Sequence, residues 1–311
     1  MNEPAAKAPP APAAKGPPAA TSEAGPRRRI KEMEVMVAEV RAETPDSATL
    51  VLFTGNDRLD YRAGHFLTID PHQFEALDRF IAYFEDVKGR KEPARAYSMS
   101  SAPHERHLAV TVKEERYLRG ATAYPPLLSP LLVKRTTRGM RLAITGFTGP
   151  YVLPDDVESR TDHLVHLVAG SGAVPNFSIL KDALLRHPGL RHTWLCSDRT
   201  WDDVLFRREL AELERRHPAR LRVVQTLTRD PVTPVSQQVW KGRVSQATLR
   251  ALVPDPEAVL VYACGPAVGP FERAAARARG EEAKPRFMES VLSALREVGV
   301  PDERVVRESY G

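Results

Sequence analysis

Apolar positions along this chain recur with two different periods, and the change falls near residue 162. Before it the runs are short and alternate. Residues 33–40, 48–53, 66–69, 107–113 and 141–144 each read as a strand, with Leu108, Val110 and Val112 on one face of the fourth. Short strands at this density predict a small β-barrel or sandwich. Two helical pieces interrupt them. Over 72–88, Phe74, Leu77, Phe80, Ile81, Phe84 and Val87 repeat at spacings of three and four, which predicts an amphipathic helix. Residues 127–133 form a shorter apolar piece. After residue 162, strands at 164–169, 192–196, 221–227 and 259–264 alternate with helices at 176–187, 202–216 and 246–252. Helices at 271–279 and 286–298 and a short strand at 304–307 follow. Strands alternating with helices predict a parallel sheet covered on both faces. The expected organisation is a β domain over 30–158 that carries the insert 72–88, and an α/β domain over 159–311.

Composition sharpens this picture at the N-terminus. Residues 1–29 contain seven prolines and nine alanines, with no aromatic residue and no periodic apolar face. Such a segment cannot bury enough surface to offset its ordering entropy, so a disordered tail is expected. It has no apolar core of a secretory signal. Lys7, Lys15, Arg27, Arg28 and Arg29 face only Glu3 and Glu23 there, so three of the chain's five net positive charges sit in the tail. The folded part is then nearly neutral, and nucleic-acid binding is not expected. A tail that helps dock an acidic partner stays open as an alternative to a solvated extension.

Cysteine is the scarcest informative residue. Cys196 and Cys264 are the two in the chain. Two cysteines cannot hold a four-cysteine iron–sulfur cluster or zinc cage, and cannot build a disulfide scaffold. No metal site is expected. No apolar run reaches the ~20 residues of a membrane span. A soluble protein of the cytoplasm is the expectation.

Four segments carry candidate chemistry. Arg95-Ala96-Tyr97-Ser98 opens a strand: a guanidinium fork suits a phosphate, an aromatic ring suits a flat cofactor, and a hydroxyl suits a ring nitrogen. By itself the segment reads more plainly as an ordinary half-exposed strand. Gly170-Ser171-Gly172 with Pro175 follows the first α/β strand and precedes a helix, where a glycine turn lets a pyrophosphate approach backbone N–H groups. It is not the G-x-G-x-x-G fingerprint. Cys264-Gly265-Pro266 ends a strand; a buried structural thiol is the plainer reading, because no nearby histidine is offered as a base. Glu308-Ser309-Tyr310-Gly311 places an aromatic ring one residue from the end of the sequence, after a strand, which reads as an anchored end or as a frayed one.

Together and in this order, the four segments resemble the ferredoxin–NADP reductase superfamily, over about residues 32–311. The resemblance implies an N-terminal six-stranded antiparallel flavin-binding β-barrel followed by a parallel-sheet α/β nucleotide-binding domain. It implies that Arg95 holds a flavin phosphate, that Tyr97 packs on the isoalloxazine, and that Ser98 hydrogen-bonds near N5. Ala96, Val112 and Lys113 fall beside the same cofactor. The family's Gly-x-x-Ser is similar to Pro126-Leu127-Leu128-Ser129, with Pro in place of Gly, so Ser129 joins the FAD contacts with one backbone donor fewer. Gly146-Phe147-Thr148-Gly149-Pro150-Tyr151 resembles the segment that closes the barrel.

On the same basis, Gly170, Ser171, Gly172 and Pro175 form the turn for NADPH or NADH, and Cys264, Gly265 and Pro266 lie beside the nicotinamide. Glu308 and Tyr310 resemble the plant-type ending whose aromatic ring covers the flavin. Ser98, Cys264, Glu308 and Tyr310 are thus the expected catalytic group. Arg199, Arg229 and Arg243 sit where bacterial members reach the 2′-phosphate of NADP, whereas Asp198 would favour the free ribose of NAD. The implied activity is hydride transfer from NAD(P)H to FAD. With no cysteine quartet of its own, the chain would pass electrons to a separate ferredoxin or oxygenase component. A free flavin reductase or diaphorase acting on small acceptors is the alternative. The insert 72–88 reads as core packing or as a docking surface.

Overall fold

The computed structural model describes residues 31–55, 59–119 and 122–310. The expectation of a disordered tail over 1–29 lies outside the described residues, as does Gly311.

The first sheet is antiparallel and six-stranded. Its strands are β1 (Lys31–Thr44), β2 (Ser47–Phe53), β3 (Phe66–Ile69), β4 (Arg95–Ser98), β5 (Leu108–Lys113) and β6 (Arg141–Thr148), in the spatial order β4-β3-β6-β1-β2-β5. Its two edges meet: Met99, just past β4, bridges Val110 in β5. The sheet therefore closes into a barrel, which removes the exposed edges an open sheet would present. Val35, Leu50, Leu67, Ile69, Met99, Val110, Leu142 and Ile144 fill its interior. β1 is longer than its alternation predicts because register shifts at Val37/Glu39 and Ala42/Thr44 let it bend around the barrel.

Helical structure enters this domain twice. Between β3 and β4 run two 3₁₀ turns, Pro71–Gln73 and Glu75–Leu77, and then helix α1 (Asp78–Lys88). The continuous helix expected over 72–88 is thus shorter. Asp70 caps the first turn by accepting from the His72 amide at 2.9 Å, and Phe74 is extended between the two turns. Gly89, with φ 62°, ends α1. The predicted apolar stripe also divides. Phe74, Leu77, Ile81 and Phe84 are buried, while Phe80 and Val87 face solvent beside Tyr83. Helix α2 (Ser129–Lys134) starts two residues later than expected, since Leu127 and Leu128 belong to the barrel core rather than to the helix.

A link that contains α3 (Val157–Arg160) leads to the second sheet. This sheet is all-parallel. It comprises β7 (His163–Val168), β8 (Arg191–Asp198), β9 (Leu221–Leu227), β10 (Val239–Lys241), β11 (Leu260–Pro266) and β12 (Val305–Tyr310), in the order β10-β9-β8-β7-β11-β12. Helices α4 (Ala173–Arg186), α5 (Arg207–Arg216), α6 (Gln246–Leu252), α7 (Pro270–Ala278) and α8 (Phe287–Glu297) complete it. Separate apolar clusters against α4 and α5, and against α6 and α8, show that both faces are covered. Every residue of β7 is buried, as expected of a central parallel strand. Helix α5 begins at Arg207 rather than at 202, because Val204, Leu205 and Phe206 turn inward ahead of it.

Two parts of this sheet exceed the sequence expectation. β10 has three residues and no alternation to reveal it. β12 continues to Tyr310, paired residue for residue with β11, so Cys264 lies opposite Glu308 and Pro266 opposite Tyr310. The end of the described chain is anchored in the sheet. A further apolar cluster joins Tyr151 and Leu153 of the link to Leu164, Tyr262, Cys264 and Tyr310.

Candidate functional site

The carboxyl ends of the parallel strands face the barrel, and the loops there carry most of the expected residues. After β7 the chain makes a 3₁₀ turn, Gly170–Gly172, and enters α4. Gly170 sits at φ +53°, which favours glycine. The Ala169 amide donates to the Cys264 carbonyl at 3.1 Å, stitching this turn to β11. A Cβ on Gly172 would lie 2.0 Å from that carbonyl oxygen, and one on Gly265 would lie 2.6 Å from the Phe287 ring. The glycine turn and Cys264-Gly265-Pro266 therefore form one close-packed backbone floor. Pro175 lies buried in the first turn of α4.

Across this floor the ends of both domains meet. Ser98, at the end of β4, and Tyr310, near the end of β12, share a hydrogen bond of 2.7 Å between hydroxyl oxygens. Tyr310 donates to Glu308 Oε2 at 3.0 Å, which leaves Ser98 as donor to Tyr310. Burial raises the Glu308 carboxyl, against the Tyr310 bond that lowers it. Burial also pushes the Cys264 thiol well up, helped by the Glu308 charge, so the sulfur is a neutral thiol and not a nucleophile. Ser98, Cys264, Glu308 and Tyr310, more than 200 residues apart in sequence at the extremes, thus come together.

The remaining barrel residues are placed differently. The Arg95 guanidinium meets Glu92 Oε2 at 2.9 Å and stays partly exposed. Tyr97 packs its ring against the barrel core, and burial raises its phenol. Ala96 faces out. The Val112 side chain lies inside the barrel, which leaves its backbone for any ligand contact. Ser129 accepts from the Glu115 amide at 3.1 Å and gives no side-chain cap to α2.

The arginines converge on a cleft of about 660 Å³ between barrel and parallel sheet. Lys113, Arg199, Arg229 and Arg243 line it near Gly170 and Pro266, and so do Arg116 and Arg286, which the sequence reading passes over. Asp46, Glu114, Asp198 and Asp203 are the carboxylates of its wall. Asp46 is paired with Lys113 and also meets Arg116 and Arg199 at 3.6 and 3.8 Å, and Asp203 caps the Thr200 turn and meets Arg199 at 3.2 Å. Asp198 turns inward: it accepts from the Gly170 amide at 3.2 Å and from the Cys196 thiol at 2.8 Å, and burial raises it to about 6. The carboxylate expected to favour a free ribose instead holds the glycine turn. With six cations against four carboxylates in its lining, the cleft keeps a net positive charge suited to a polyanion. Arg116 and Arg286 carried no motif; Arg116 follows Lys113 in a charged run, and Arg286 precedes an apolar helix.

Comparison with known proteins bears on the fold and on the second domain. Residues 167–276 match the oxidoreductase NAD-binding domain. The ferredoxin reductase component of 3-ketosteroid-9-alpha-monooxygenase from Mycolicibacterium smegmatis is 32% identical over 285 residues, covering 89% of this chain and 65% of that protein. The chain spans 60–65% of the length of the first curated relatives it matches. Among solved structures, an Amycolatopsis cytochrome P450 reductase superposes with TM-score 0.65 at 21% identity, over 93% of this chain and 73% of that one. Ferredoxin-NADP+ reductase from Plasmodium falciparum superposes with TM-score 0.62 at 17% identity, over 90% and 96%. At these identities the two structures show the fold. Residues 167–276 therefore carry an oxidoreductase NAD-binding domain, and the chain shares its fold with these reductases. That shared fold is an antiparallel six-stranded sheet followed by a parallel six-stranded α/β domain. Among the described residues, no helix is long and apolar enough to cross a membrane.

Proposed function

We propose that this chain is a ferredoxin–NADP reductase superfamily member that binds FAD at the open side of the barrel, takes hydride from NADPH in preference to NADH, and passes electrons to a separate ferredoxin or oxygenase component in the cytoplasm. The observation that carries this reading is the Ser98–Tyr310–Glu308 hydrogen-bonded group beside Cys264, built from both domains. Bound FAD would supply a ring that accepts hydride from a nicotinamide and releases electrons one at a time. The residues present fit it: Arg95 keeps donors free for a phosphate, Tyr97 presents a ring, and Ser98 presents a hydroxyl at the domain junction.

The chain's own residues have definite tasks in this scheme. Gly170–Gly172 and the start of α4 receive a pyrophosphate. Arg199, Arg229 and Arg243 meet the extra phosphate of NADPH. Tyr310 would cover a bound flavin until the nicotinamide displaces its ring. Glu308, its carboxyl raised by burial, accepts from Tyr310 and so holds that hydroxyl toward Ser98. Cys264, a neutral thiol, excludes water from the contact. A separate acceptor accords with the two cysteines of these 311 residues, and with relatives named as reductase components of a monooxygenase.

The absorbance spectrum of the purified protein tests the reading. Two flavin bands that bleach faster with NADPH than with NADH are expected. A colourless protein that takes up no FAD contradicts the proposal, and flavin lost on gel filtration marks a free flavin reductase instead.

A further inference from the structure

The helical insert between β3 and β4 closes on Arg95 through one buried carboxylate. Glu92 has a side chain only 1% exposed, an unusual place for an acid unless it is paired. It is paired twice: with Lys88, four residues back at the end of α1, and with Arg95 at 2.9 Å. The Glu92 backbone is fixed as well, its amide donating to Glu85 Oε1 of α1 at 2.8 Å. Glu85 in turn meets His72 Nε2 at 2.8 Å, and His72 reaches Asp70 at the start of the insert. A continuous polar chain thus runs from one end of the insert to Arg95 at the other.

The charges in this chain are informative. Glu92 faces two cations, so the Lys88–Glu92–Arg95 triad keeps a net positive charge, and its exposed end is Arg95. Only one terminal nitrogen of Arg95 is committed to Glu92, which leaves the rest of the fork available. Lys88 also sits 4.5 Å from the ring centroid of Tyr124, in the loop that leads to Ser129. The insert therefore touches Arg95 and the loop that leads to Ser129, both expected beside the flavin.

We propose that the insert is a cofactor-positioning element, and that Glu92 is the positioning residue that holds Arg95 ready for the phosphate of a phosphorylated flavin. This rests on the flavin reading above. A free arginine must be ordered when it binds, and pre-ordering removes that cost. Glu92 orders Arg95 in advance, and Lys88 keeps Glu92 from neutralising it.

The test compares flavins with and without phosphate. Equilibrium dialysis of the full chain against FAD, FMN and riboflavin reads affinity without turnover. In Glu92→Gln, affinity for FAD and FMN is expected to fall about tenfold, the cost of ordering one free side chain, with riboflavin affinity unchanged. Glu92→Asp keeps the charge but reaches less far, and is expected to lose part of that affinity. Equal affinity of variant and parent for the phosphorylated flavins, or an equal loss for riboflavin, overturns the role of Glu92. If Glu92→Gln does not fold, Glu92→Asp decides by the same comparison. If the parent protein binds none of the three, the flavin reading itself fails.

Discussion

At the scale of single residues, Gly172 and Tyr310 carry the heaviest constraints. Gly172 sits where a side chain would overlap the Cys264 carbonyl, and both partners are backbone. Relief requires moving either the turn or β11. We expect Gly172→Ala to destabilise the fold by about 1–3 kcal/mol, as overpacking does, measured by urea unfolding, and to weaken nucleotide binding. A variant as stable as the parent contradicts the tight floor. Tyr310 is constrained by hydrogen bonds instead. Its loss strips the partner from Ser98 and from Glu308. In Tyr310→Ala, iodide should quench flavin fluorescence more readily and the preference between NADPH and NADH should shrink. Unchanged exposure and preference would mean that Tyr310 does not shield the cofactor. Asp198 teaches a related lesson. Its position beside Arg199 suggests a ribose ligand, yet its carboxylate is spent on the Gly170 amide and the Cys196 thiol.

At the scale of elements, α1 is the most instructive. Periodicity located it, but six apolar positions in the sequence became two groups with opposite fates. A helix 11 residues long has one inward face, and the barrel wall selects Ile81 and Phe84 for it. Phe80, Tyr83 and Val87 point away. The contrast is measurable by chemical denaturation. Ile81→Ala should cost about 2–4 kcal/mol through the cavity it leaves, whereas Phe80→Ala should stay within ~0.5 kcal/mol. Equal costs would mean that the helix packs by another face. β10 marks the opposite limit, since three residues cannot display a period, and only its pairing with β9 makes it a strand.

At the scale of the whole molecule, burial of histidine ties stability to pH. His163 and His166 are pushed down to about 4 by burial, and His192 well below its usual value by burial and then by the His166 beside it. All three would titrate near ~6.5 in the unfolded chain. Between about pH 6.5 and 4 the unfolded chain therefore binds protons that the folded chain refuses, so the contribution of each is lost as pH falls, at up to about 1.4 kcal/mol per unit. Asp198 works in the other direction. Burial raises it to about 6, so the folded chain holds its proton where the unfolded chain has lost it, and its contribution is greatest at low pH and fades as pH rises through about 6. Urea titrations from pH 7 to pH 4 should show falling stability, and Asp198→Asn should steepen the fall. An unchanged slope in that variant would mean that Asp198 is ionised throughout.

The sequence by itself determined the order of elements, the change from antiparallel to parallel sheet, and the four motifs. These follow from local periodicity and from residue types whose chemistry is intrinsic: glycine at a turn, arginine for an anion, cysteine counted against a cluster. It placed Ser98, Cys264, Glu308 and Tyr310 in one family pattern, but contained nothing about the distances between them. Only the tertiary structure decided that Ser98 and Tyr310 touch and that Arg116 and Arg286 join the cleft. Those are contacts between segments far apart in sequence or on facing sides of a fold. No period records them, because they exist only once the barrel closes against the carboxyl ends of the parallel strands.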